Sequence, residues 1–381
     1  LQSIGKNMDL KNPKERAKIL SLATVYLNLD TNELKTVDFL IGNAYLMIET
    51  ALHNDTQQPT VIENFVKTVQ SLDKLNLLYL ISYAELRAVA PGTWTSWKKV
   101  LLSDLYQRSH DYFKQPESLH SRSLTTWVEV YKILHWELPP EDLELNINNM
   151  PKEYLETVQA DEAALHIRLI RSLKDKSFIF NYSYNEEGKY YQAILCCPTR
   201  FEAFKILVGI LTARNMNILG AKVYVRKDKI IIISINIEET EILDGNNLET
   251  WKNLNQNIRD IFEEHKDLPT LFSERTQYVS EKKLAEVTVP KVTVNNESDP
   301  NFSIIRIEAR DHLGMLYKIS TVFAELEIQI HSAKVSTQGG HGIDVFYVSM
   351  QNEKLLSEKL VRHVKERVIS AMMVKNPEDI D

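Results

Sequence analysis

Histidines, cysteines and paired carboxylates are the side chains from which metal and nucleophilic sites are built, and here their spacing argues against both. The chain has ten histidines. His53, His110, His120 and His135 stand isolated, and His166 sits on a stretch of helical periodicity where a structural or surface role is expected. The only cysteines are neighbours, Cys196 and Cys197. That spacing fits neither a disulfide framework nor a zinc site. Both are expected to fill an apolar strand in a reducing compartment, with a vicinal disulfide as the alternative. No G-x-x-x-x-G-K-[ST] phosphate loop and no G-x-G-x-x-G turn occurs, and no Ser/His/Asp set suggests itself. Trp94 and Trp97 follow the helix-breaking Pro91-Gly92 and are expected to pack a helical corner rather than stack a base. The acidic run Glu141–Glu144 reads as a solvated helix start.

Composition narrows the class further. A chain of 381 residues makes two to four domains at ~100–200 residues each. Hydrophobic content of 44% and charged content of 25% are ordinary for a globular chain. A net charge of −7 argues against a nucleic-acid surface, which needs an excess of Lys and Arg. No apolar run reaches the ~18–20 residues that cross a bilayer, and no signal peptide is visible, so a cytoplasmic protein without membrane partners is expected. The chain opens on Leu1 inside an apolar stretch, which predicts a piece of a longer protein.

The elements follow from periodicity. Residues 1–130 carry apolar residues at helical spacing, as in TVDFLIGNAYLMIETAL, and predict an all-helical domain. Residues 131–176 read as a helical connector. Alternation begins at Ser177, with a hairpin turning at Asn185–Gly188. Within 177–267 the order is strand, helix, strand, hairpin, strand, helix. Residues 268–301 are polar and predict a linker. Residues 302–375 repeat the order, with a hairpin turn at Gly339-Gly340. One phrase marks the duplication: Ile218, Ala221, Lys222 and Val223 recur as Ile330, Ala333, Lys334 and Val335, shifted by 112 residues throughout. Each copy predicts a small antiparallel sheet with helices on one face, leaving an edge or a face that a twin can pair with.

The second copy resembles the ACT domain, an amino-acid-sensing unit whose first turn reads Asp-x-x-Gly-Leu-Leu. Asp311-His312-Leu313-Gly314-Met315-Leu316 fits that turn, though His312 and Leu313 replace the usual Arg-Pro. Glycine lets backbone approach a ligand closely, helix-start amides receive a carboxylate, and the aspartate accepts from an α-amino group. Four longer stretches, 77–106, 150–170, 292–319 and 331–348, resemble the C-terminal half of bacterial PII uridylyltransferase/uridylyl-removing enzymes. The first contains AELRAVAPGTWTSWKK and the last begins HSAKVSTQGGHG. The resemblance implies a multidomain chain: an all-α HD-like domain, then two α+β ferredoxin-like ACT domains. The family's nucleotidyltransferase domain is missing from this sequence.

The resemblance also tells where HD metal ligands would stand, and they are largely lost. The His-Asp pair is replaced by Gln2-Ser3 and the later His-His pair by Asn43-Ala44, and the final aspartate is Glu85. Ser and Ala ligate no metal, and neutral amides are weak ligands for Mg or Mn, the metals the family would use. A decayed HD domain with no catalytic residue and no cofactor is expected, with Glu85 in a polar network with Arg87. Shifting the ACT turn by 112 gives Thr199 for Asp311 and Glu202 for Gly314, and a glutamate at the close-approach position should obstruct a ligand. The second copy is thus expected to bind glutamine or a similar amino acid and to act, through the full-length enzyme, on a PII-type protein. The alternatives are an active uridylyl-removing phosphodiesterase and an ACT pair that only assembles. Metal analysis of the purified chain should return far less than one Mn or Mg per chain, with no hydrolysis of PII–UMP; stoichiometric metal would restore the phosphodiesterase.

Overall fold

The computed structural model describes residues 28–88, 94–115, 118–151, 154–200, 202–240, 248–264, 266, 268, 289–310, 314–338, 341–351, 353–355 and 357–373, with scattered positions before residue 28. The chain divides into two compact units, residues 1–120 and 121–381.

Helices α1 (Thr31–Gly42), α2 (Leu46–His53), α3 (Pro59–Val69), α4 (Leu72–Ala88) and α5 (Ser96–Lys114) form the first unit. Local chemistry sets their ends. Asp30 caps α1, accepting from the Asn32 and Glu33 amides, while the Glu33 side chain accepts from the Asp30 amide. Pro59 opens α3, and Gln70 closes it in a left-handed conformation at φ 71°. Met47, Phe65, Leu75, Leu78, Leu102 and Leu105 are buried in its core. Trp94 meets Tyr83 edge-on, centroids 4.9 Å apart, and Trp97 packs on the same core, the corner role expected of both. Among the described residues no helix is long and apolar enough to cross a membrane.

Helix α6 (Ser118–Leu134) leads into the second unit, followed by α7 (Pro140–Asn148), α8 (Tyr154–Thr157) and α9 (Ala160–Leu173). The helices expected over this connector share one core, in which Val130, Leu134 and Leu143 are buried with Met150, Tyr154 and Ile167. The sheet strands are β1 (Ile179–Asn185), β2 (Tyr190–Pro198), β3 (Ile218–Val225), β4 (Ile230–Glu238), β5 (Lys291–Asn295), β6 (Ser303–Arg310), β7 (Ile328–Gln338) and β8 (His341–Met350). Helices α10 (Glu202–Ala213), α11 (Leu248–Phe262), α12 (Met315–Glu325) and α13 (Glu358–Met373) complete the unit.

All eight strands join one antiparallel sheet in the order β1-β2-β4-β3-β7-β8-β6-β5. The two halves share one chain order, strand, strand, helix, strand, strand, helix. Strand β5 lies inside the segment expected as linker, where Val292 and Val294 pair with Ile307 and Ile305. Polar composition hid it because only one face of this edge strand packs. The hairpin expected at Asn185–Gly188 is present, with the Gly188 amide donating to Asn185 Oδ1 at 2.7 Å. The turn expected at Gly339-Gly340 lies outside the described residues.

The halves meet where the repeated phrase lies. Strands β3 and β7 pair antiparallel through Gly220 with Lys334, Ala221 with Ala333, and Lys222 with Ser332. Ala221 and Ala333 are equivalent under the 112-residue shift, so the local two-fold passes between them. Helices α10–α13 cover one face over a continuous apolar core. On the other face of the first half, Ala163, Ala164 and Ile167 of α9 pack on Ile194, Cys196, Tyr224 and Ile232. That double coverage explains the unbroken IIIISINI of β4. It also buries both cysteines as free thiols, Cys196 toward α9 and Cys197 toward the opposite core, and burial pushes each pKa up to about 12. At the two-fold, opposite Cβ atoms stand only ~4.5–5.5 Å apart. Ala221→Phe or Ala333→Phe should therefore overpack the seam and cost about 1–3 kcal/mol in urea unfolding; an unchanged midpoint would show that the seam tolerates bulk.

Candidate functional site

Strand β6 carries the chain to the turn expected to hold a ligand, and α12 carries it away. Asp311, His312 and Leu313 lie outside the described residues. Gly314 is the N-cap of α12 at φ 87°, ψ 0°, a conformation that costs a side-chain-bearing residue roughly 1–2 kcal/mol. Its carbonyl accepts the Lys318 amide at 2.9 Å, starting the helix. Met315 and Leu316 are buried in the core between helices and sheet. Nearby positions are unusual in charge: Lys318 and Asp344 are each only 1% exposed. By the 112-residue shift, Lys318 replaces Ile206 of the first half. By the strand register, in which Ala221 faces Ile235 and Ala333 faces Phe346, Asp344 replaces Ile233.

The corresponding turn of the first half follows β2. The Thr199 amide donates to Lys229 O at 2.9 Å, and the Arg200 guanidinium lies 3.8 Å above the Phe262 ring. Glu202, expected to obstruct this place, is turned outward. Its side chain is 60% exposed and stands 3.5 Å from Lys205 Nζ. A cavity of about 90 Å³ remains between the halves here, walled mostly by apolar side chains such as Phe204, Val225, Phe323 and Ile330, with Arg200, Lys205 and Gln329 among its polar lining. The sequence reading missed it because its lining comes from both copies.

Of the positions where HD ligands were expected, Asn43, Ala44 and Glu85 are described. Gln2 and Ser3 lie outside the described residues. Asn43 caps α1, its Nδ2 donating to Phe39 O at 2.9 Å, and Ala44 is buried. Glu85 accepts from Tyr45 Oη at 3.4 Å, whereas Arg87, its expected partner, points to Tyr83. The reason is spacing: Tyr83 lies one helical turn before Arg87 and shares its face. Among the described residues no three His, Cys, Asp or Glu side chains gather as a metal site.

His166 is structural in an instructive way. It is fully buried, with Nδ1 2.7 Å from Tyr154 Oη, while Nε2 has no hydrogen-bond partner and lies 3.9 Å from Glu162 Oε1. Burial holds its pKa down to about 3. Burial also raises the Glu162 pKa, opposed by a hydrogen bond from Gln192 and by the charge of Lys222. His331, between Phe302 and Ser349, is likewise lowered to about 4 by burial and by Lys222. At the end of α9, Arg168, Arg171, Lys174 and Lys176 line an open basic groove of about 640 Å³. Arg168 there forms a bidentate pair with Glu137 and holds that carboxyl below its ordinary range. Cations at a helix C-terminus complement its dipole, which accounts for the groove.

The segment from β6 to α13 runs βαββα, its first helix opening on a left-handed glycine. Residues 298–375 match the profile described as the ACR family N-terminal ACT domain. The whole chain is similar to bifunctional uridylyltransferase/uridylyl-removing enzymes. It is 26% identical to that of Bradyrhizobium diazoefficiens over 337 residues, 87% of this chain and 36% of the relative. It is 23% identical to that of Rhodopseudomonas palustris over 379 residues, 98% and 40%. It is 26% identical to that of Azospirillum brasilense over 356 residues, 91% and 38%. The resemblance read from the four sequence stretches is thus borne out, and the chain spans 36–40% of the length of these relatives.

The buried histidines fix an acid limit. The folded state keeps His166 neutral down to about pH 3, while the unfolded chain protonates it near pH 6.5. Its contribution is fully present above 6.5 and is lost as pH falls toward 3, at about 1.4 kcal/mol per pH unit. In urea titrations between pH 6 and 4, His166→Asn should flatten the stability slope by about that amount. An unchanged slope would assign the acid limit elsewhere.

Proposed function

We propose that this chain is the regulatory, amino-acid-sensing portion of a uridylyltransferase-like protein, taking glutamine or a similar amino acid at the turn of Asp311, His312, Leu313, Gly314, Met315 and Leu316. The observation that carries this reading is Gly314, held left-handed at the mouth of α12, where backbone rather than side chain faces an incoming group. The ligand's carboxylate would meet the α12 amides and its ammonium would meet Asp311. The similarity to bifunctional enzymes over nearly the whole chain supports a role in relaying that occupancy to catalytic parts of a larger protein and, through them, to a PII-type partner. The loss of HD ligands at Gln2, Ser3, Asn43 and Ala44 favours relay over local hydrolysis.

Titration calorimetry with glutamine tests this directly. Asp311→Asn keeps the side chain's size but removes the charge that would hold an ammonium. Affinity should fall by about tenfold or more, the worth of one charge-assisted bond. Equal heats from both proteins would sink the assignment.

A further inference from the structure

Helix α6 carries apolar residues on two opposite faces. Val130 and Leu134 are buried on one of them, in the core shared with α8 and α9. On the other, Leu124, Val128 and Tyr131 recur at the spacing of one helical stripe and are 67%, 46% and 39% exposed. Trp136, just beyond the helix, is 87% exposed and extends the row. A single exposed apolar residue is ordinary, whereas a contiguous row ending in a tryptophan marks a surface that something covers.

The row is held in place before anything meets it. Trp127 meets Tyr131 edge-on with centroids 6.2 Å apart, Tyr131 stacks on His135 at 5.7 Å, and His135 lies 4.4 Å from Trp136. His135 Nδ1 is 2.8 Å from Lys132 O. Glu137, next to Trp136, is gripped by Arg168 through two bonds. Aromatic area fixed in this way loses little freedom on association.

The surface fits a second copy of itself. Glu129 and Lys132 are both exposed and lie along one flank of the stripe, three residues apart. When two such helices run antiparallel, equivalent flanks face each other. A two-fold between Val128 and Tyr131 then sets Val128 against the second copy's Tyr131, Leu124 against its His135, and Glu129 beside its Lys132, with every contact made twice. Apolar meets apolar and acid meets base in a single register, the self-complementarity that an isologous interface requires. The four exposed side chains offer roughly 500 Å² per copy. Pairing therefore covers on the order of 1,000 Å² in all, the lower end for a specific interface.

We propose that this face is a homodimer interface, in which two copies pair through antiparallel α6 helices across a two-fold between Val128 and Tyr131. It uses no residue of the turn at 311–316 and does not rest on that turn's ligand.

Sedimentation velocity on the full chain between about 1 and 100 µM, a range suited to so small an interface, tests it. The unaltered chain should pass from monomer to dimer over that range. Trp136→Ala removes an anchor from both copies and should raise the dissociation constant about tenfold or more. Glu129→Lys and Lys132→Glu should each raise it about threefold or more, since each sets like charges together twice. The double exchange should return it to the unaltered value. All three positions are exposed, and thermal melts check that each variant folds. A chain that stays monomeric at the highest concentration would overturn the proposal. So would a dimer that none of these variants weakens, or a double exchange that dimerises no better than the single ones.

Discussion

The second unit depends on one edge pairing, the three-residue match of β3 with β7. Each half alone is a four-stranded antiparallel sheet with β3 or β7 as an unpaired edge, and such an edge is a template for any passing strand. Joining the edges removes the hazard and sets the symmetry, because Gly220 faces Lys334 just as Lys222 faces Ser332. Small residues are required there. Ala221 and Ala333 lie on the face beneath α10 and α12, both packed into the same core, and larger side chains would lift those helices. The sequence that repeats most faithfully is therefore the sequence that touches its own copy.

Symmetry of backbone does not impose symmetry of charge. The first half has isoleucines at positions 206 and 233 and is sandwiched between helices on both faces. The second half buries Lys318 and Asp344 at the equivalent places. Buried charges are costly, and what they gain in return is specificity of arrangement more than stability. A similar economy operates on the outer face of the first half, where under α9 Tyr154 bonds His166, and Gln192 separately bonds Glu162 and Ser234. Desolvation there opposes charge on both the histidine and the glutamate, so the histidine's contribution to docking α9 is lost as pH falls and the glutamate's as pH rises.

Much of this was legible in the sequence, and the limits are physical. The duplicated order, the hairpin at 185–188 and the helix at 248–262 follow from periodicity and turn chemistry, which are local. Strand β5 was not legible, because an edge strand packed on one face needs few apolar residues. Helices α6 and α7 fall within segments read as helical, and Glu141–Glu144 marks the start of α7; their buried partners on α8 and α9 were not legible, because those contacts are tertiary. The link between Tyr154 and His166, twelve residues apart across a helix break, has no sequence signature. The effect of Glu202 was misread for a related reason: equivalence by residue shift gives a position, and the direction of the side chain depends on Lys205 and solvent.

The two turns can accordingly diverge without disturbing the scaffold that relates them. A left-handed glycine at 314 opens the helix of the second half, whereas the equivalent Glu202 in the first half turns outward beside Lys205. Tyr317 fills one side against Gly209, whereas its counterpart Lys205 turns toward Glu202 and solvent. The two-fold therefore fixes where the backbones meet, and the side chains chosen in each copy decide what packs there.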